Sequence, residues 1–479
     1  MAAVGVVGQD AAWWREHRTA LCLGLLALSL FLLLQQGAIT NSDGASVYAV
    51  TRSLVEDGDF TVEPDLGVPG RDGEYYSKFG LGLSVLGVVP YVLVRPVAEL
   101  HGRPDAVEQA AVATLLPLAS ALLIVALFAL CRRLGAGVGS SILIALGAVF
   151  GTFLLVYTKE YFGEPLVALF LVLALERALA GRAAQAGLAL AAGALVRPEA
   201  FAYAIGLVLF VALTRGRWAL VRVVIPLIGA GAITVAYTYY RFGGGSTDSG
   251  TTGYGDEARF TSPLRGVEGF VYSPVKSIFL FAPVIILAPV ALYGLWRASR
   301  ATCALLGGTI VVGFLLASSV PGWDGGWTWG PRHLIAIVPV ALAPCALWLE
   351  SSARRAAGFV ALCALGLAIS AATVLVPTQA QLLDPHPPTS PKVLRQYELV
   401  PRAVRYSIEH TGDKGVGDHR RYLYLWQVGV TRELGRTGLA AAVPLTALLI
   451  VAAVWSAIAL RRSIGDRSKP KEPEPRRSR

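Results

Sequence analysis

The chain has 479 residues and a formal net charge of +10, yet only 15% of its side chains are charged while 54% are hydrophobic. Its mean hydropathy is +0.57. Apolar runs of about seventeen or more residues recur along it, which excludes a string of water-soluble domains and demands a bilayer as solvent. The expected fold class is an all-α polytopic membrane protein.

The positive charge does not point to nucleic acid. Its arginines stand in pairs beside the ends of apolar runs: Arg132/Arg133, Arg177/Arg182, Arg215/Arg217, Arg297/Arg300, Arg354/Arg355 and Arg461/Arg462. Arginine pairs of this kind stay in the cytoplasm, where they meet anionic membrane lipid. The five cysteines, Cys22, Cys131, Cys303, Cys345 and Cys363, lie in or at the ends of apolar runs, so neither a disulfide framework nor a zinc site is signalled. The bias toward arginine, alanine, glycine, leucine and valine fits a high-GC genome such as that of an actinobacterium.

In chain order, residues 1–19 read as a cytoplasmic N-terminus. Spans are expected over 20–38, 107–130, 138–157, 164–180, 185–197, 199–213, 219–239, 277–295, 302–320, 332–349, 357–376 and 438–459. With the N-terminus inside, alternation of these twelve helices keeps every arginine pair in the cytoplasm. It sends loops 40–106, 241–275 and 321–331 outside, together with 377–437, read as a loop or cap. The basic segment 460–479 returns to the cytoplasm as a disordered tail. The apolar stretch Leu81–Val97 would invert this topology if it crossed, so it reads as re-entrant or interfacial, consistent with Pro90 and Pro96. The site-bearing side is then extracytoplasmic, in the cell membrane.

The first outer loop opens with a cluster of acids, Asp43, Glu56, Asp57, Asp59, Glu63 and Asp65, directly after the first span. Val47, Tyr48, Val50, Leu54 and Val55 mark an amphipathic helix lying on the membrane. Asp43 at its start is either an N-cap or a catalytic acid. Asp57–Asp59 reads as a solvated turn. Lys78, after two tyrosines, would sit at headgroup depth, as a phosphate ligand or a snorkelling side chain. A second polar group, Lys159, Glu160 and Glu164, lies between two spans on the same side. The two glutamates are four apart and would share a helical face if the turn holds, with Pro165 at a first helical position.

Arg197, in "VRPEA", would rise roughly 22 Å along a helix from Arg182. It either faces a cavity with Glu199 or pairs with Glu199 in a plain outer turn. Trp323, Trp327 and Trp329 crowd "PGWDGGWTWGPRH" with Gly322, Gly325, Gly326 and Gly330; they are an aromatic belt or a stacking surface for sugar rings. The histidines show no metal-ligand spacing.

Taken together, "SVYAVTRSLVEDGDFTVEP", "YYSKFG", "KEYFGEPLVALFLVLAL" and "LALAAGALVRPEA" resemble the GT-C glycosyltransferases, among them the bacterial protein-mannosyltransferase and aminoarabinose-transferase type. The later pieces "YYRFGGG", "GYGDEARF", "FVYSPVKSIFLFAP" and "WDGGWTWGPRHL" extend the resemblance over residues 20–350. It implies a GT-C bundle with interfacial helices in the first outer loop. It implies transfer of a sugar, with inversion, from a polyprenyl-phosphate carrier to an extracytoplasmic glycan, lipid or protein. Asp43 matches the family's catalytic acid, Glu164 its second outer acid, and Lys78 a lysine at the carrier phosphate. The chain departs from the pattern at Phe79, where relatives have proline.

The chemistry asks for such groups. A carboxylate must take the acceptor's proton, and cations must meet the departing phosphate. Arg332 and Arg197 are further candidates for that phosphate; Tyr48, Lys159, Glu160 and Trp327 complete the expected binding residues. A divalent metal at Glu164 is the candidate cofactor, though a lone phosphate needs it less than a diphosphate would. A transporter or flippase of a lipid-linked or polar substrate is the alternative. The absence of matched halves and the loading of polar residues on one side count against it.

Overall fold

The computed structural model describes residues 3–100, 104–243, 261–383, 392–410, 423 and 425–465. Segment 384–391, "GYGDEARF", the first residues of "HRRYLYLWQVGVTREL" and the tail beyond 465 fall outside these. The protein is an all-α polytopic membrane protein. Among the described residues, eight helices are long and apolar enough to cross a membrane, and four shorter apolar helices accompany them.

Every expected span contains helix, but several are broken where proline or glycine interrupts the hydrogen-bond ladder. The third ends at Phe150 and resumes as the single turn Leu154–Tyr157. The eighth is divided at Pro283 into Ile278–Phe281, a 3-10 stretch Pro283–Leu287 and Ala288–Ala298. The tenth begins as a 3-10 turn, Arg332–Leu334, and continues as Val338–Leu342 and Cys345–Leu349, with prolines at 339 and 344. These interruptions lie in buried segments, where neighbouring helices re-satisfy the freed backbone groups. Leu81–Ala98, by contrast, is one continuous helix despite Pro90 and Pro96, long and apolar enough to span.

Helices Leu115–Arg133, Val138–Phe150 and Glu164–Leu179 form the packed centre, with the Val338–Leu349 region against them. Around the rim, large apolar side chains such as Ile205, Leu209, Leu213, Ile225 and Ile228 are more than half exposed. In a soluble protein that area would promote aggregation; here it faces lipid.

Arginines from three of the pairs come close together, since Arg133 and Arg177 both bind Glu176 and Arg215 reaches the end of the same helix. Arg132 binds Glu16 at 2.7 Å, Arg133 binds Glu176 at 3.2 Å, and Arg215 donates to the Leu179 carbonyl at 3.1 Å. The loop after helix Ser42–Glu56 is irregular. There, strand Val68–Pro69 pairs antiparallel with Tyr75–Tyr76, with Val68 opposite Tyr76. Phe60 and Tyr76 pack edge-on against Tyr240, which fastens this hairpin to the end of helix Arg217–Phe242.

The last helix, Trp426–Gly465, begins well before the expected residue 438 and runs beside the first, Ala3–Leu33. The first helix ends at Leu33, earlier than expected, and leaves terminal carbonyls in need of donors. Trp426 Nε1 donates to Leu32 O at 2.9 Å and Gln427 Nε2 to Leu33 O at 3.1 Å.

The charge rule assigns the arginine pairs to the cytoplasm. A cysteine at exposed position 57, in the loop expected outside, should therefore react with a membrane-impermeant maleimide added to intact cells. Reaction only after permeabilisation would reverse the assigned orientation.

Candidate active site

Helix Ser42–Glu56 leaves the end of the first span under the control of Asn41. The Asn41 side chain caps it, accepting from the Gly44 amide at 2.6 Å. Capping is therefore not the task of Asp43, which sits in the first turn with its carboxylate free to point elsewhere. The turn lies hard against the Tyr161 segment: a Cβ at Gly44 would be 2.7 Å from the Tyr161 carbonyl oxygen. Only glycine permits that approach, and Asn41 reinforces it by donating to Glu160 Oε2 at 3.4 Å.

Across this junction the charges alternate. Asp43 Oδ2 accepts from Arg332 Nη1 at 2.8 Å, and Arg332 Nε lies 3.2 Å from Glu164 Oε1. Glu164 Oε1 also accepts from Arg197 Nη1 at 2.7 Å, and Arg197 in turn donates to Glu199 at 2.7 and 3.1 Å. The chain Asp43–Arg332–Glu164–Arg197–Glu199 thus draws on four separate parts of the sequence. Its middle is the most buried: the Glu164 side chain is 7% exposed and Arg332 11%, against 26% for Asp43 and 41% for Glu199.

Two oxygens are left over. Asp43 Oδ1 has no partner among the described residues, and Glu164 Oε2 is buried without a hydrogen bond. The Arg332 guanidinium lies over the Phe162 ring at 4.7 Å.

Helix breaks deliver these groups. Glu164 opens helix Glu164–Leu179 with Pro165 beside it, as expected. Arg197 has extended backbone angles between helix Ala183–Val196 and the 3-10 turn Pro198–Tyr203. Of the alternatives foreseen for it, the pairing with Glu199 is present, and Arg197 also reaches Glu164. Arg332 starts its own 3-10 turn just after a run in which Gly325, Gly326 and Gly330 take positive φ.

Other expectations need correction. Glu160 and Glu164 do not share a helical face, because the chain is irregular from Glu160 to Gly163. Glu160 meets Asn41 instead. Lys159, fully buried, donates to the carbonyl of Val374 in the last turn of helix Ala353–Leu375. The Tyr48 ring is buried against Tyr91, and its hydroxyl donates to Asp105 at 2.9 Å, so it holds the interfacial helix in place. Arg332, expected at a phosphate, is engaged by two carboxylates. Trp327 is 57% exposed while Trp329 is buried, its carbonyl accepting from the Tyr157 hydroxyl at 2.8 Å. Asp59 stabilises a turn, accepting from the Thr61 amide at 2.9 Å.

Lys78 is half-buried, its ammonium 5.8 Å from the Phe79 ring centroid. Its neighbours are fixed by Arg241, which donates to the carbonyls of Ser77 and, at 3.1 Å, Phe79, and by Ser46, whose hydroxyl donates to that of Ser77 at 2.8 Å. Arg241 lies 3.8 Å from the Tyr237 ring centroid. The following turn abuts the C-terminal end of helix Ala183–Val196, since a Cβ at Gly80 would come within 2.6 Å of the Leu195 and Val196 carbonyls. Lys78 and Arg197 therefore flank the same packed junction. Asn41 and Arg241 were missed in the sequence, although an asparagine before a helix and an arginine inside "YYRF" were visible signals.

A resident metal does not fit this donor set. The two nearest carboxylates are already matched to guanidinium groups, and no three His, Cys, Asp or Glu side chains among the described residues come together as ligands.

No protein-family model matches the chain, and no curated protein matches it. Among solved structures it is similar to the apo crystal structure of ArnT from Cupriavidus metallidurans, with a TM-score of 0.49 and 16% identity over 97% of this chain and 78% of that one. A likeness at that level carries neither residue roles nor an activity.

Replacing Arg332 with methionine would leave Asp43 without its cation and Glu164 with Arg197 alone. The expected cost is about 3–5 kcal/mol, read as a lower melting temperature of the purified protein. Adding Asp43→Asn to that variant should restore part of the loss, whereas strict additivity would show the pair to be independent. Asn41→Ala should cost about 1 kcal/mol through the lost cap.

Proposed function

We propose that the protein is a GT-C-type membrane glycosyltransferase that moves a sugar from a polyprenyl-phosphate carrier to an acceptor outside the cell, with inversion. The observation that supports this reading best is the charge chain that joins Asp43, in the first loop, to Glu164, two spans later. Sequence resemblance alone had linked these two acids; in the fold one arginine holds both.

Asp43 is the base. Its Oδ2 is held by Arg332, which orients the carboxylate, while Oδ1 is open to an acceptor hydroxyl. As that hydroxyl oxygen attacks the anomeric carbon, its proton passes to Asp43 and the bond from that carbon to the phosphate oxygen breaks. The electron pair leaves with the polyprenyl phosphate. Lys78, held beside helix Ser42–Glu56 by Arg241, meets the developing charge. Glu164 Oε2, buried and unbonded, is suited to accept from a sugar hydroxyl, since a carboxylate oxygen without a donor is otherwise costly. The lipid tail cannot leave the membrane, so this chemistry belongs at headgroup depth, at the end away from the arginine pairs.

Asp43→Asn should lower sugar transfer by about 10²–10⁴-fold, and the melting temperature of the purified variant separately reads the loss of its ion pair with Arg332. Full activity in this variant would remove Asp43 as base. Lys78→Ala should weaken use of the carrier lipid more than use of the acceptor; equal loss of both would count against its role. The decisive measurement is mass spectrometry of lipid-linked sugars and envelope glycans in a strain lacking the protein. A polyprenyl-phosphate sugar should accumulate and one glycan substituent should disappear, and unchanged profiles would overturn the reading.

A further inference from the structure

Two lysines outside the charge chain converge on the loop that carries Trp327. Lys276 lies between helices Leu264–Tyr272 and Ile278–Phe281 and is only 3% exposed. Its ammonium donates to Gly326 O at 2.9 Å and Thr328 O at 3.0 Å, and lies 3.2 Å from Thr328 Oγ1. Lys392, the first residue of helix Lys392–Glu409, donates to the same Thr328 carbonyl at 2.9 Å. Its ammonium is 5.8 Å from the Trp329 ring centroid, and the Nε1 of that buried ring has no partner.

Neither ammonium forms an ion pair with a carboxylate among the described residues. Asp324 faces both and is bonded to neither. Two cations sharing one neutral oxygen repel each other, and partial burial strengthens that repulsion. Burial brings Lys276 down to about 7, with Lys392 and Arg332 adding to the effect and Asp324 opposing it. Burial likewise brings Lys392 down to about 8, opposed by Asp324. A bound anion would relieve each of these costs.

We propose that Lys276 and Lys392 together bind a phosphate monoester at the Gly325–Trp329 loop, which makes the helix Lys392–Glu409 part of the substrate site. Lys276 has one contact it can exchange at little cost. The hydroxyl of Thr328, its longest partner, already donates to Gly325 O at 3.0 Å and need not also accept. Lys392 uses one of its three donors on Thr328 and keeps two for the ligand. Doubly charge-assisted hydrogen bonds suit a phosphate better than a neutral headgroup. Lys392 lies beyond residues 20–350, over which the sequence motifs carry the resemblance. The inference rests on the proposed function only for the owner of the phosphate, a prenyl lipid.

The test is binding by the full-length protein in nanodiscs, with inorganic phosphate, farnesyl phosphate and phosphatidylglycerol vesicles as separate probes. Lys392→Gln should weaken farnesyl phosphate binding about tenfold, and Lys392→Arg should keep most of it. Arg405→Gln, exposed on the same helix, should change nothing. Affinity should also fall as the pH is raised from about 6 to about 9, because both ammonium groups lose their protons in that interval. Dependence on Lys392 with inorganic phosphate as well as farnesyl phosphate supports a site for the bare anion; dependence with farnesyl phosphate alone supports a lipid-borne one. Unchanged binding in Lys392→Gln, or binding of phosphatidylglycerol vesicles only, overturns the proposal. Asp43→Asn should bind farnesyl phosphate normally, so failure of transfer with intact binding would count against the proposed function and not against this site.

Discussion

Arg332 between Asp43 and Glu164 is the contact on which the polar end of the protein depends. One buried guanidinium offsets the charge of both carboxylates, and removing it would leave them uncompensated. A guanidinium serves better than an ammonium, because its fixed fork reaches one acid through Nη1 and the other through Nε while its face rests on Phe162. Arg197 repeats the arrangement on the far side of Glu164. The result is a row of alternating charges whose most accessible member, Asp43, is the one with an oxygen to spare.

Building that row requires broken helices. A continuous span presents its polar termini only at the membrane surfaces, and a charge in mid-span is expensive. Here the breaks at Val196–Pro198, Glu160–Gly163 and Pro331–Arg332 bring charged side chains inward from three directions, while buried neighbours satisfy the interrupted backbone. The first turn of helix Ser42–Glu56 completes the site from a fourth direction. Its approach is set by a glycine that can touch the Tyr161 carbonyl and by an asparagine that both caps the helix and holds Glu160.

The outer segments are fastened by polar contacts to helix ends and carbonyls more than by apolar packing. Arg241 grips the carbonyls on either side of Lys78, Tyr48 anchors to Asp105, Lys159 closes the last turn of helix Ala353–Leu375, and Trp426 and Gln427 finish the first span. Each satisfies a group that a bilayer would leave unpaired. The same contacts explain why several residues expected to touch substrate, Tyr48 and Lys159 among them, are spent on support.

The sequence by itself determined the membrane class and most of the helices, because hydropathy is a local property written residue by residue. It also marked Asp43, Glu164, Arg197 and Arg332 as chemistry-bearing. It did not decide that these four are mutual partners, that Asn41 rather than Asp43 caps the helix, or that Arg241 rather than a ligand holds the Lys78 strand. Apart from the local Asn41 cap, those pairings join residues separated by dozens to hundreds of positions, and only the packing of broken helices brings them within hydrogen-bonding distance. The order of charges along the chain gives no ruler for that distance; the tertiary fold does.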